Sequence, residues 1–153
     1  DLHLVVAGPD GWGTRAFGAA VALARHGDRV RRIGWVDAGT RADLVAGARV
    51  LAVPSIYEGF GYPPLEAMAA GTPVVATAVG SLPEVLGDAA RLVPGGDVDA
   101  LTAALAEVID DDAVAAELGR RGSAHARLFR WDECADGLVE LYRDAIADGA
   151  SRR

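Results

Sequence analysis

Lysine, asparagine and glutamine are missing altogether from this chain of 153 residues, and cysteine and methionine occur once each. The single cysteine, Cys134, excludes a disulfide framework and any paired-cysteine metal or redox site. Without lysine, a phosphate clamp in this chain has only arginine or backbone amides to draw on. No apolar run approaches the ~20 residues that span a bilayer, and the opening residues do not read as a secretory signal. Positive charge is also short: Asp plus Glu number 22 against 15 for Lys plus Arg, a net charge of -7 that argues against a nucleic-acid partner. The expectation is a cytoplasmic globular domain.

What is present fits that class. With 51% hydrophobic and 24% charged residues the composition is ordinary for a globular protein, and the length suits one domain over 1–153. Short apolar runs at Leu4–Ala7, Val30–Val36, Val50–Val53, Val74–Thr77 and Leu92–Val93 read as strands. Between them, Arg15–Arg25 (stopped by Gly27), Thr40–Ala46 and Leu65–Ala70 read as helices. Thr40 with Asp43, and Ser81 with Glu84, have the spacing of capping boxes. From Asp97 the pattern is helical, with starts near Asp97, Asp111 and Asp132 and a C-terminal helix over 131–148. Strands alternating with helices and apolar on both faces predict an α/β fold, a Rossmann-like doubly wound parallel sheet. Ligands of such sheets bind beyond the carboxyl ends of the strands, which singles out the loops at 8–13, 35–39, 54–64 and 78–81.

The third of these loops carries the most chemistry. Pro63 and Pro64 suit the first positions of a helix, where a missing amide costs least. The next amides, of Leu65 and Glu66, are then expected to point out of a helix N-terminus, a ready anion site. Gly59 and Gly61 let backbone approach a ligand closely. Two carboxylates, Glu58 and Glu66, flank the turn and would repel a bare phosphate. They make sense if the ligand also brings hydroxyls, which carboxylates accept, as a nucleotide sugar does. Taken singly, Glu66 reads equally well as a first-turn acid favoured by the helix dipole, and Glu58 as a solvated loop residue.

Glu58, seven residues, then Glu66, within EGFGYPPLEAMAAGTPVVA, resembles the E-x7-E signature of group 1 (family 4) retaining glycosyltransferases of the GT-B fold. The likeness continues in AGPDGWG at 7–13, GWV at 34–36, AGARVLAVPS at 46–55, GSLPEV at 80–85 and FRWDECA at 129–135, nearly the whole chain. It implies the C-terminal, donor-binding half of an enzyme that transfers a hexose from a nucleotide diphosphate sugar with retention. Glu58 would then hold donor-sugar hydroxyls and favour an oxocarbenium-like transition state, with the leaving phosphate helping to deprotonate the acceptor. Phe60 and Gly61 would offer backbone amides to the sugar, Leu65 would bind the donor phosphate and Glu66 the ribose diol. Trp35 and Val36 would line the base pocket, and Gly8 with its loop would approach the diphosphate. The resemblance implies neither a metal nor any other cofactor. The donor candidates are GDP-mannose, to which the GWG loop points, and a UDP-sugar.

The same resemblance implies absent parts. The family's opening strand, and a following loop whose Arg and Lys clamp the diphosphate, would precede Asp1. In the order 3-2-1-4-5-6 that strand lies between Leu4–Ala7 and Val50–Val53. Its loss would expose two strand edges, force those strands together, or invite self-association. The expected partners are a nucleotide sugar and an N-terminal acceptor-binding domain, without which the chain is expected to be inactive. Peripheral membrane association would belong to the full-length enzyme. Two alternatives remain open: a non-catalytic interaction module that keeps the half-fold, and a GT-B-like sugar-nucleotide epimerase.

Other patterns have plainer readings. Asp110-Asp111-Asp112 invites a metal-binding DxD reading but sits between two helices, where capping accounts for it. Gly8-x-x-Gly11-x-Gly13 has the wrong spacing for a dinucleotide fingerprint. Ser55 lacks a nucleophile-elbow sequence that would tie it to His3, His26 or His125. Cys134 is expected to be buried filler beside Trp131, and Arg120-Arg121 and Arg152-Arg153 solvated surface.

Overall fold

Parallel strands form where the short apolar runs lie, each followed by a helix or a glycine turn that returns the chain. The computed structural model describes residues 2–11 and 13–151, so Trp12 of the GWG loop and the pair Arg152-Arg153 lie outside the described residues. The order is β1 (Leu4–Ala7), α1 (Thr14–Leu23), β2 (Val30–Gly34), α2 (Ala38–Ala46), β3 (Leu51–Val53), α3 (Tyr62–Ala69), β4 (Val74–Thr77), α4 (Leu82–Leu86), β5 (Arg91–Val93), α5 (Val98–Asp110), α6 (Asp112–Ala126) and α7 (Trp131–Ser151). The strands pair in parallel, as expected of an α/β fold, but in two sheets, β1-β2 and β3-β4-β5, where the sequence predicts one. The chain divides into two units, Asp1–Leu44 and Val45–Arg153.

In the first unit, β1 and β2 pair from Leu4 with Val30 to Ala7 with Gly34. Strand β2 ends at Gly34, earlier than Val36, because Gly34 turns into the left-handed region at φ 68. Its carbonyl accepts the Gly8 N–H at 2.7 Å, which ties together the starts of both loops. Helix α1 stops at Leu23, before the expected Arg25, as Ala24 turns extended. Helix α2 starts two residues before Thr40, and the Thr40–Asp43 box does not form. Asp37 caps it instead, its carboxylate accepting the Thr40 N–H and hydroxyl at 2.9 Å each. Those bonds hold the Asp37 carboxyl below its ordinary value, so its contribution is full at neutral pH and lost as pH falls through that lowered value. No described residue of 2–44 is buried; two strands with α1 and most of α2 have too little surface to close a core of their own.

The second unit holds the core, arranged on both faces of β4. Val74 and Ala76 face one cluster with Met68, Leu82 and Leu86, and Val75 faces the other with Val108 and Leu118. All four residues of β4 are buried, which is why its sequence shows no polar alternation. Asp97 and Asp111 cap α5 and α6 through Ala100 N–H and through Ala113 and Val114 N–H, so the aspartates at 97 and 111 do the capping assigned to them. Asp112 pairs with Arg49 at 2.7 Å. Arg120 and Arg121 pair with Glu117 and Asp88. Helix α7 starts at Trp131, with Asp132 in its first turn. Cys134 is exposed, contrary to the expected burial, because α7 adds no residue to either apolar cluster. Among the described residues no helix is long and apolar enough to cross a membrane.

Helix α6 packs against α3 so closely that glycine is required. A Cβ on Gly119 would lie 2.4 Å from the Gly71 carbonyl oxygen, and one on Gly122 3.1 Å from the Met68 side chain. In an unconstrained helix Gly→Ala stabilises by about 1 kcal/mol. Here the obstacle at Gly119 is backbone, so Gly119→Ala should lower stability by roughly 1–3 kcal/mol. Urea unfolding followed by circular dichroism checks this; an unchanged or raised midpoint would show that the helix spacing relaxes freely.

Candidate functional site

The loop between β3 and α3 leaves the carboxyl end of β3 and is held from the carboxyl end of β4. Thr77, the last residue of β4 and buried, donates its hydroxyl to the carbonyl of Ser55 at 2.6 Å and approaches that of Val53 at 3.3 Å. Four residues on, Ser81 does the same for the next stretch. Its N–H donates to the Glu58 carbonyl at 3.1 Å, and its hydroxyl proton is shared between the carbonyls of Glu58 at 3.2 Å and Phe60 at 3.0 Å. The expected Ser81–Glu84 capping box is therefore not formed: Ser81 stands at the N-cap of α4, but its side chain makes no cap bond there. The hydroxyl is used on the loop instead.

Glycine makes this contact possible. Gly80 sits at φ +53, and a Cβ there would lie 2.3 Å from the Glu58 carbonyl oxygen and 3.0 Å from its nitrogen. Gly61, at φ +105, caps α3; a Cβ there would meet the buried Leu82 side chain at 2.8 Å. Close approach at Gly61 is thus to the protein's own interior. Gly59 by contrast has nothing within 4 Å of a built Cβ.

Helix α3 begins at Tyr62, with Pro63 and Pro64 at its second and third positions. Of these three only Tyr62 has an N–H, so the helix start offers fewer amides than a typical one. The Leu65 N–H already donates to the Gly61 carbonyl at 3.3 Å, a bond slightly longer than usual. Leu65 itself is buried, Glu66 is exposed and Glu58 half-buried. No acid lies in the first turn, so Glu66 sits too far along α3 for the helix dipole to be its main reason for being there.

Aromatic rings from the C-terminal segment reach the same loop. Phe60 lies 4.8 Å from Tyr62 and edge-on to Phe129 at 6.1 Å, and Tyr62 stacks on Trp131 at 6.3 Å. His125 contacts Phe129 and meets the Val85 carbonyl at 2.8 Å, so it serves packing. The structure thus brings Glu58, Phe60, Gly61, Leu65 and Glu66 into one loop-and-helix segment of the second unit. Gly8, Trp35 and Val36 lie in the first unit, at the carboxyl ends of β1 and β2. Gly8 holds φ 137, Trp35 is 76% exposed and Val36 half-buried. Thr77, and Gly80 and Ser81 as supports of the loop, escaped sequence reasoning because a serine three residues before a glutamate reads first as a cap.

The family of these residues follows from comparison with known proteins. The family model described as glycosyl transferases group 1 matches residues 1–111, and the chain belongs to that family. It is 37% identical over 140 residues to O-antigen chain mannosyltransferase B of Escherichia coli, an alignment covering 92% of this chain and 37% of the relative. It is 46% identical over 110 residues to the MMP alpha-(1->4)-mannosyltransferase of Mycolicibacterium hassiacum, covering 69% of this chain and 27% of that one. Among solved structures, sucrose-phosphate synthase of Thermosynechococcus elongatus superposes with a TM-score of 0.84 at 36% identity, over 95% of this chain and 39% of that one. Anabaena HepE in complex with UDP shares the fold at a TM-score of 0.80 and 22% identity, over 94% of this chain and 41% of that one. The chain therefore spans less than half the length of the proteins it matches.

The clamp on Glu58 makes a testable distinction between two neighbouring glycines. Gly80→Ala should cost roughly 2 kcal/mol or more, since the residue is left-handed and its new methyl group meets backbone. Gly59→Ala should be near neutral. Thermal denaturation of both variants, with amide NMR shifts over 58–61, checks this; equal small effects would mean that Gly80 does not hold the loop.

Proposed function

We propose that this chain is the donor-binding domain of a retaining hexosyltransferase that uses a nucleotide diphosphate sugar. The observation that carries the reading is the fixed loop from Glu58 to Glu66: two acids around a helix start, at the ligand-binding end of a parallel sheet, in a chain of the group 1 family. Carboxylates accept hydroxyl protons and amides donate to oxygen, and a ligand carrying hydroxyls on both sides of a diphosphate satisfies both.

In this reading Glu58 takes hydroxyls of the transferred sugar and favours the positive charge that develops at its anomeric carbon. The amides of Phe60 and Gly61 bind the same sugar. Leu65 shares its long helical N–H with a phosphate oxygen, which the positive end of α3 favours. Glu66 accepts from the ribose diol. In the first unit, Trp35 and Val36 are the candidates for base contact and Gly8 for diphosphate contact. Two relatives are named mannosyltransferases and the HepE structures hold UDP or UDP-glucose, so GDP-mannose and UDP-sugars are the donors to try. No metal or other cofactor is assigned. Acceptor binding we place in the part of such a protein that this chain does not align with, and the location we propose is cytoplasmic.

Calorimetric titration with UDP, GDP and ADP, beside Glu66→Ala, tests the reading. One nucleotide should bind, and the variant should weaken it by about tenfold to a hundredfold, the worth of charge-assisted hydrogen bonds. Unchanged affinity in Glu66→Ala would refute the ribose assignment.

A further inference from the structure

We propose that Ser81 is a positioning residue for the sugar-facing edge of the Glu58 loop. In a planar trans peptide the carbonyl and the following N–H point in opposite directions. Ser81 holds the carbonyls of Glu58 and Phe60, so the N–H groups of Gly59 and Gly61 are turned away from it. The same contact sets the backbone from which the Glu58 carboxylate projects. Around it, Gly80 lies against the Glu58 backbone with no room for a Cβ, and the buried Leu82 side chain lies under Gly61. Three consecutive residues, 80–82, thus form a template for residues 58–61. Phe129, edge-on to Phe60, supports the loop from the C-terminal segment.

The consequence for binding rests on the donor-site reading; the consequence for the loop does not. A loop held through its carbonyls presents donors without paying ordering entropy when the ligand arrives. Loss of the hydroxyl should therefore weaken contacts to the sugar while sparing those to the nucleotide, none of which is assigned to the Glu58–Gly61 loop.

The test uses Ser81→Ala and Ser81→Thr in the whole chain. NMR relaxation reports the order parameters of the Gly59 and Gly61 amides, and titrations compare UDP with UDP-glucose and GDP with GDP-mannose. In Ser81→Ala the Gly61 order parameter should fall to below about 0.6, that of Gly59 should fall less because the N–H of residue 81 still holds the Glu58 carbonyl, and those of β4 should stay near the rigid value of about 0.85. The gain in affinity from nucleotide to nucleotide sugar should shrink by roughly tenfold, with the bare nucleotide unchanged. Ser81→Thr, which keeps the hydroxyl, should behave as the unaltered chain. Unchanged order parameters in Ser81→Ala, or equal losses for nucleotide and nucleotide sugar, would overturn the proposal. If the unaltered chain binds none of the four compounds, the donor reading falls, and the order parameters alone decide the role of Ser81.

Discussion

Two hydroxyls four residues apart, on Thr77 and Ser81, hold the chain between β3 and α3 by its carbonyls, and the candidate site depends on that hold. The hold in turn depends on β4. That strand is buried along its whole length between two apolar clusters, so its carboxyl end is among the least mobile points available. A long loop ordinarily has many conformations; one whose carbonyls are bonded at Ser55, Glu58 and Phe60 has few. The protein therefore presents its acidic loop from a rigid centre, the arrangement that a site built from backbone amides needs.

The chemistry of the segment follows from what it offers and what it lacks. With Pro63 and Pro64 at the start of α3, and Leu65 already bonded to Gly61, few helix amides are left for an anion. A purely phosphate-binding helix would keep them. Glu58 and Glu66 add acceptors instead of donors, which fits a ligand rich in hydroxyl groups. Membership in the group 1 glycosyl transferases agrees with that balance.

Much of this was legible in the residues. Five strands, the helix starts at Asp97 and Asp111, and a proline-led helix, read over 65–70 and found at 62–69, follow from local rules about caps, periodicity and proline. Errors arose where two local signals competed. Thr40 and Asp43 have capping-box spacing, but Asp37, just before the helix, captured the Thr40 amide first. Cys134 sits on an amphipathic pattern, yet none of the described residues of its helix joins either apolar cluster.

The E-x7-E spacing, the glycine turns and the alternation of strands with helices are properties of chain order, because each rests on residues near one another in sequence. The use of Ser81 is not. Its hydroxyl had a local partner by spacing, and only the packing of β4 beside β3 brought it within 3.0 Å of the Phe60 carbonyl, 21 positions away. Likewise the need for glycine at positions 80 and 119 comes from backbone approaching across the fold. Such contacts join elements distant along the chain, and local pattern carries no record of which distant neighbour will arrive.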